Sequence, residues 1–310
     1  MSSVPISAIR ELRERTQAGM ADCKSALVEA EGDLEKAVEV ILKKGKAKSA
    51  KRAGKIAAEG EVRTEVFEDG RAAVIAEVNI ETDFSARNEN FTAFVDKVMA
   101  VAKTAEPGAD LAALETDGKT IADHASELTA VVGEKVTVRR FDRLALADGK
   151  HGFCHSYVHM GGKIGVILAI EAETAEAGGH EAVKTFADET AMQVAAMNPM
   201  TLKREQLDEA LVAKQREIFE AQLRDDPKPK PEKVWPKIIE GKVNKWFAEV
   251  VLLEQQSAQH KKPIDELRKE AGEAAGAPIV ITGFVRFERG EGIEKKQDDV
   301  RVGVAELLQK

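Results

Sequence analysis

Glu77-Val78-Asn79-Ile80-Glu81-Thr82-Asp83-Phe84-Ser85-Ala86-Arg87-Asn88 decides how the rest of the chain is read. Before it, Val74, Ala76, Val78 and Ile80 alternate with Ile75, Glu77, Asn79 and Glu81, the period of a strand. After it, Phe91, Phe94, Val95, Val98, Met99 and Ala102 recur at helical spacing. Either Asn88 or Asn90 is placed to cap that helix. The joint sets an acid, Asp83, beside a large aromatic, Phe84. Upstream, Val62, Thr64 and Val66 alternate with charged residues, and Glu68-Asp69-Gly70-Arg71 supplies a turn, so the strand is the second half of a hairpin. From the residues alone, Asp83 is a plain N-cap and Phe84 a staple onto Phe91, seven residues on.

The chain has 310 residues, 43% hydrophobic and 32% charged, which fits two or three structural units with real cores. Its net charge of -8 argues against nucleic acid as the main partner, because phosphate binding needs a net basic surface. No apolar run reaches about 18 residues, so no membrane span is expected. Met1-Ser2-Ser3-Val4-Pro5-Ile6 lacks a signal-peptide pattern, and the two cysteines, Cys23 and Cys154, lie far apart in sequence. Both features fit reduced thiols and a cytoplasmic location.

Residues 6 to 44 read as three short helices, with Ser7 and Asp33 as caps and Gly19, Gly32 and Gly45 as stops. A unit of about 40 residues has few side chains to spare for chemistry and suits docking. Residues 43 to 55 then carry seven basic residues. No aromatic interleaves them for base stacking, which favours a solvated linker or helix extension over an RNA-binding arm. Further on, a helix is expected over Thr120 to Val132 and a strand over Lys135 to Leu144. Another helix is expected over Glu181 to Ala196. Leu207, Leu211, Ile218 and Phe219 mark a charged helix. Asp225-Asp226-Pro227-Lys228-Pro229-Lys230-Pro231 turns the chain, and Val234, Ile238 and Val243 mark its return. Trp246 and Phe247 are expected where this arm re-enters the body. A short helix from Ile264 to Ala271, a strand from Ile279 to Phe287 and a final helix over about Asp298 to Leu308 complete the chain.

His151, Cys154, His155 and His159 invite comparison with a metal site. The surrounding residues favour a strand, on which positions four apart are about 13 Å apart, too far for one ion. Gly161-Gly162-Lys163 reads as a hairpin turn, since it lacks the spacing of a phosphate loop. No catalytic group, metal or cofactor is called for by any other cluster.

Four stretches, in order, resemble the elongation factor Ts family. The first is Leu12-Arg13-Glu14-Arg15-Thr16-Gln17-Ala18-Gly19-Met20-Ala21-Asp22-Cys23-Lys24-Ser25-Ala26-Leu27. The second is the stretch quoted above, with Ser85 where the family usually has valine. The third is Ser156-Tyr157-Val158-His159-Met160-Gly161-Gly162-Lys163-Ile164-Gly165-Val166. The fourth is Gly283-Phe284-Val285-Arg286-Phe287 with Gly290-Glu291-Gly292-Ile293-Glu294-Lys295.

The resemblance implies an α+β fold. Its parts would be a ubiquitin-associated-like three-helix domain with its basic linker at 1–55, core subdomains at 56–147 and 148–290, and a C-terminal helical module at 291–310. A protruding helical hairpin would be inserted at about 200–246. It implies a guanine-nucleotide exchange factor, with no bond chemistry of its own and no cofactor. That factor would bind elongation factor Tu in its GDP and nucleotide-free forms. The Thr82-Asp83-Phe84-Ser85 turn would disturb the partner's magnesium and phosphate site. Leu12, Arg13, Met20, Asn79, His159 and Met160 would make partner contacts. Under this reading Asp83 and Phe84 are a probe rather than a cap and staple. The helical arm could join two copies, or two exchange factors with two GTPases. The alternative is a non-catalytic RNA-binding or adaptor protein of translation.

Overall fold

The α+β architecture follows from where the apolar periodicity changes. The structure, a computed structural model, describes residues 4–16, 18–228 and 230–294. The chain divides into two units, one of Met1–Val62, Ala76–Phe141 and Glu288–Lys310, the other of Arg63–Ile75 and Asp142–Phe287.

Three helices open the chain: α1 (Ile6–Thr16), α2 (Met20–Glu29) and α3 (Leu34–Arg52). Leu12, Cys23, Ala26, Leu27 and Ala37 form their shared core at zero exposure. Asp33 caps α3 by accepting from the Lys36 amide, as expected. Ser7 lies inside α1 and not at its cap, because the helix begins one residue earlier. Gly45 does not end α3. The glycine sits inside the helix, where a Cβ would come within 3.0 Å of Ala130, and the basic run continues the helix to Arg52.

A hairpin follows, β1 (Glu59–Phe67) and β2 (Ala72–Ile80), then a one-turn helix α4 (Asp83–Ala86) and the longer α5 (Glu89–Ala102). A two-residue ladder, β3 (Glu115–Thr116) with β4 (Lys119–Thr120), leads into α6 (Ile121–Val132), and β5 (Thr137–Ala145) completes a sheet ordered β1-β2-β5. All nine residues of β2 are buried.

The second unit contains β6 (His151–His159), β7 (Ile164–Ala172), α7 (Ala175–Gly179) and α8 (Glu181–Met197). The arm is α9 (Glu209–Arg224) and α10 (Trp235–Val250), sealed by Leu207, Val243, Phe247 and Val251. Trp246 and Phe247 therefore lie within the return helix and do not mark its end. Then α11 (Ile264–Ala274) and β8 (Ile279–Glu288) close a sheet ordered β6-β7-β8. The final helix expected over Asp298 to Leu308 lies outside the described residues.

The two hairpin–helix segments repeat one plan at an offset of 92 residues, from Gly60 to Gly152. The turn residues Glu68, Asp69 and Gly70 have φ of 53, 52 and 85°, and Met160, Gly161 and Gly162 have 49, 59 and 87°. Thr82 caps α4 as Thr174 caps α7, and Asn88 caps α5 as His180 caps α8. Phe91, Phe94, Val95, Val98, Met99 and Ala102 are buried, as are Val183, Phe186, Ala187, Thr190, Ala191 and Val194 at the matching places.

Gly60 and Gly152 show why the plan needs glycine. Both have φ well into the positive range, and an added Cβ would meet the Val78 carbonyl oxygen at 2.1 Å or that of Ile170 at 2.0 Å. A side chain there combines backbone strain with a clash against a strand. Gly60→Ala and Gly152→Ala are each expected to lower the unfolding free energy by about 3 kcal/mol. Urea denaturation measures this, and a loss below about 1 kcal/mol would show that the ladder relaxes around the methyl group.

Candidate functional site

The site is built on the buried end of β2. Glu77 and Asn79, adjacent on one face of the strand, are both at zero exposure. A buried carboxylate needs donors around it. Glu77 accepts from Arg139 Nη1 at 3.0 and 3.1 Å, Arg140 Nε at 2.7 Å, Asn79 Nδ2 at 3.0 Å and the Gly290 amide at 2.7 Å. Burial pushes its carboxyl up, but the hydrogen bonds from Gly290, Asn79 and the two arginines outweigh that and hold it below the ordinary range. Arg140 also donates to the Glu288 carbonyl and the Glu291 carboxylate, and Arg139 to the Glu291 carbonyl. Asn79 Nδ2 also donates to the Glu59 carbonyl at 3.1 Å, so its amide nitrogen is spent inside the fold.

At the end of the strand, Glu81 accepts from Arg52 Nη1 at 3.0 and 2.8 Å and from the Lys135 amide at 2.7 Å. The next residue, Thr82, is extended (φ -124°, ψ 153°), and its hydroxyl accepts from the Ser85 amide at 3.3 Å. Thr82 is therefore the N-cap. Asp83, expected in that role, is the first residue of α4, because the cap needs the extended backbone that Thr82 has. Phe84 is 81% exposed and does not staple onto Phe91, which is wholly buried. Asp83 is exposed and lies 3.7 Å from Arg87 across one helical turn.

Sequence reasoning missed Glu134. Its carboxylate accepts from the Thr82 amide at 2.9 Å, the Thr82 hydroxyl at 2.9 and 3.1 Å and the Ser85 hydroxyl at 2.7 Å. Gly133, left-handed at φ 76°, ends α6 and turns the chain so that Glu134 follows directly. The only local signal is a Gly-Glu pair after a helix. Thr82, Asp83, Phe84 and Ser85 thus form a one-turn loop whose two hydroxyl residues face inward to a carboxylate while the acid and the aromatic face out.

The other expected contact residues fall in separate places. Leu12 is at zero exposure in the core of the helical bundle, and Arg13 beside it is exposed. Met20, 44% exposed, is the first residue of α2. In the second unit, Met160 is 68% exposed and left-handed at φ 49°, an uncommon state for an apolar residue. His159 precedes it and shares a hydrogen bond of 2.9 Å with the Tyr157 hydroxyl.

The histidines of β6 are used singly. His155 pairs with Asp188 at 2.9 Å, and burial holds its pKa below the ordinary value despite that partner. Cys154 is buried, which raises its thiol to about 11. Four of the seven residues of the basic run form ion pairs: Lys44 with Glu29, Lys46 with Asp123, Lys48 with Asp22 and Arg52 with Glu81. Among the described residues, no helix is long and apolar enough to cross a membrane.

These features define an α+β protein with an N-terminal helical bundle, a repeated hairpin–helix plan and an exposed aromatic turn. Residues 81–291 match the family model described as Elongation factor TS. Relatives named Elongation factor Ts are similar along nearly the whole chain. The one from Clostridium kluyveri is 43% identical over 94% of each chain. That from Clostridium perfringens is 42% identical over 98% of this chain and 99% of its own. That from Nitratiruptor sp. is 42% identical over 98% of both. The chain belongs to the elongation factor Ts family.

Glu77 gives a pH signature. A carboxyl whose folded pKa lies below its ordinary 4.5 contributes stability that is present above that pH and lost as the pH falls through the folded value. Glu77→Gln is expected to cost about 3 kcal/mol at neutral pH, because it strands two arginines. The gap between variant and parent should narrow below pH 4.5 in urea titrations; a constant gap would place the acid sensitivity elsewhere.

Proposed function

We propose that this chain is a guanine-nucleotide exchange factor that binds elongation factor Tu with GDP and promotes GDP release so that GTP can bind. The observation that carries this reading is Phe84, 81% exposed on a turn whose backbone is held by Glu134. Leaving a phenylalanine in water forgoes about 2 kcal/mol of burial. A held, exposed aromatic beside an acid suits insertion into a partner.

Magnesium bridges phosphate oxygens and protein ligands in near-ideal octahedral geometry, so a small displacement of its supports weakens nucleotide binding. Phe84 acts as the wedge. Asp83 competes for hydrogen bonds or repels phosphate. Thr82 and Ser85 keep both in place. Arg13, Met20, His159 and Met160 supply outward contacts, while Leu12 packs in the core of the helical bundle and Asn79 holds Glu77 and the Glu59 carbonyl. By linkage, a chain that weakens GDP binding must itself be weakened by GDP to the same degree. No bond is made or broken by this chain.

Elongation factor Tu loaded with labelled GDP tests the reading. Added protein should accelerate release, and Phe84→Ala with Asp83→Ala should remove most of that acceleration, a loss of about tenfold or more. Equal acceleration by the double variant would overturn the mechanism, and no acceleration by the parent would overturn the function.

A further inference from the structure

We infer that Glu134 is the positioning residue of the exchange turn, setting the direction in which Asp83 and Phe84 point. The inference rests on the exchange reading above and assigns it a residue outside the motif. Neither Asp83 nor Phe84 is fixed by its own packing: both are exposed, and α4 is only four residues long. A single turn of helix has little stability of its own. What holds it is one carboxylate that takes the Thr82 amide and both inward hydroxyls, Thr82 and Ser85, at 2.7 to 3.1 Å. Bonds to an ionised acceptor are the stronger kind.

The carboxylate is itself well founded. Glu134 follows the left-handed Gly133 at the end of α6, and the amide of the next residue, Lys135, donates to Glu81 at 2.7 Å. Lys135 Nζ donates to the Ala53 and Lys55 carbonyls at 2.7 and 3.1 Å, and Arg52 holds Glu81 from the end of α3. Two consecutive residues thus stitch the strand end, the turn and the end of α3. Ser85 belongs to the same device. Where valine would offer only volume, serine offers a hydroxyl to Glu134 at 2.7 Å.

The test is GDP release from elongation factor Tu at increasing concentrations of full-length protein, comparing the parent with Glu134→Ala, Glu134→Gln, Phe84→Ala, the Asp83→Ala Phe84→Ala pair and that pair with Glu134→Ala added. Glu134→Ala should lower the maximal release rate roughly tenfold and leave the half-saturating concentration within about threefold, because a misaimed turn costs rate more than binding. Glu134→Gln should restore the rate to within about threefold, since a carboxamide still accepts from the amide and can donate to hydroxyls, which take either role. In the Asp83→Ala Phe84→Ala background, adding Glu134→Ala should cost nothing further.

If Glu134→Ala leaves the maximal rate unchanged while Phe84→Ala lowers it, this inference fails and the exchange reading stands. If the loss from Glu134→Ala multiplies with that of the Asp83→Ala Phe84→Ala pair, Glu134 acts on the whole fold and not through the turn, and the inference fails. If the Asp83→Ala Phe84→Ala pair has no effect, the wedge mechanism fails first and the inference with it, and if the parent does not accelerate release the exchange reading fails. Should Glu134→Ala not fold by thermal melting, Glu134→Gln with Ser85→Val decides. That pair leaves too few complementary groups to hold the turn and is expected to slow release about tenfold; a parental rate would overturn the inference.

Discussion

A carboxylate removed from water must be matched by donors, and Glu77 is matched by five hydrogen bonds from four residues: Arg139, Arg140, Asn79 and Gly290. The arrangement is costly to build and much costlier to break, because removing one partner strands the rest. It fixes strand β2 against β5 and against residues 288–291, near the far end of the described chain. Burial of all nine residues of β2 completes the constraint. A strand so held delivers its last residues, Glu81 and Thr82, to one place. Everything proposed for the turn depends on that delivery, since a probe on a mobile stalk would lose its orientation before it did any work.

Beyond the strand, rigidity passes to shorter-range bonds. Glu81 is held by Arg52 and the Lys135 amide, and Thr82 and Ser85 by Glu134. Each step inverts the surroundings of the one before. Glu77 is wholly buried, Glu81 and Glu134 are half-buried, and Asp83 and Phe84 stand in solvent. Polar groups satisfied inward let the apolar and acidic ones face out. This reverses the ordinary tendency to bury aromatics and expose hydroxyls.

Much of this was legible before any coordinates. The hairpin, the helix after it and the cap at Asp33 follow from periodicity and cap chemistry, which are local, whereas the choice between Asn88 and Asn90 as cap is made, in favour of Asn88, only by the structure. The pairing that satisfies the buried Glu77 was not legible, because its arginines lie 62 and 63 positions away in sequence. Thr82 and Asp83 are both good cap formers in adjacent positions, and only the backbone angles separate them. Gly45 looked like a stop, but packing of α3 against Ala130 favoured a helix that runs through it. Glu134 left no usable mark, since its bonds join residues about 50 positions apart and follow no period.

The repeated hairpin–helix plan narrows where function can lie. Thr82-Asp83-Phe84-Ser85 and Thr174-Ala175-Glu176-Ala177 occupy matching places, each opened by a capping threonine that accepts from the amide three residues on. In the second copy Ala177 and Gly178 are buried, and the loop presents no aromatic. Its hairpin turn instead exposes Met160, where the first copy has Glu68. A shared fold explains what the copies have in common: glycines against carbonyls, left-handed turns, caps and an apolar helix face. It cannot explain Phe84 in water, nor a methionine in a left-handed turn. Those departures set Phe84 and Met160 apart from the shared plan, and both are among the residues to which partner contacts are assigned in the proposed function.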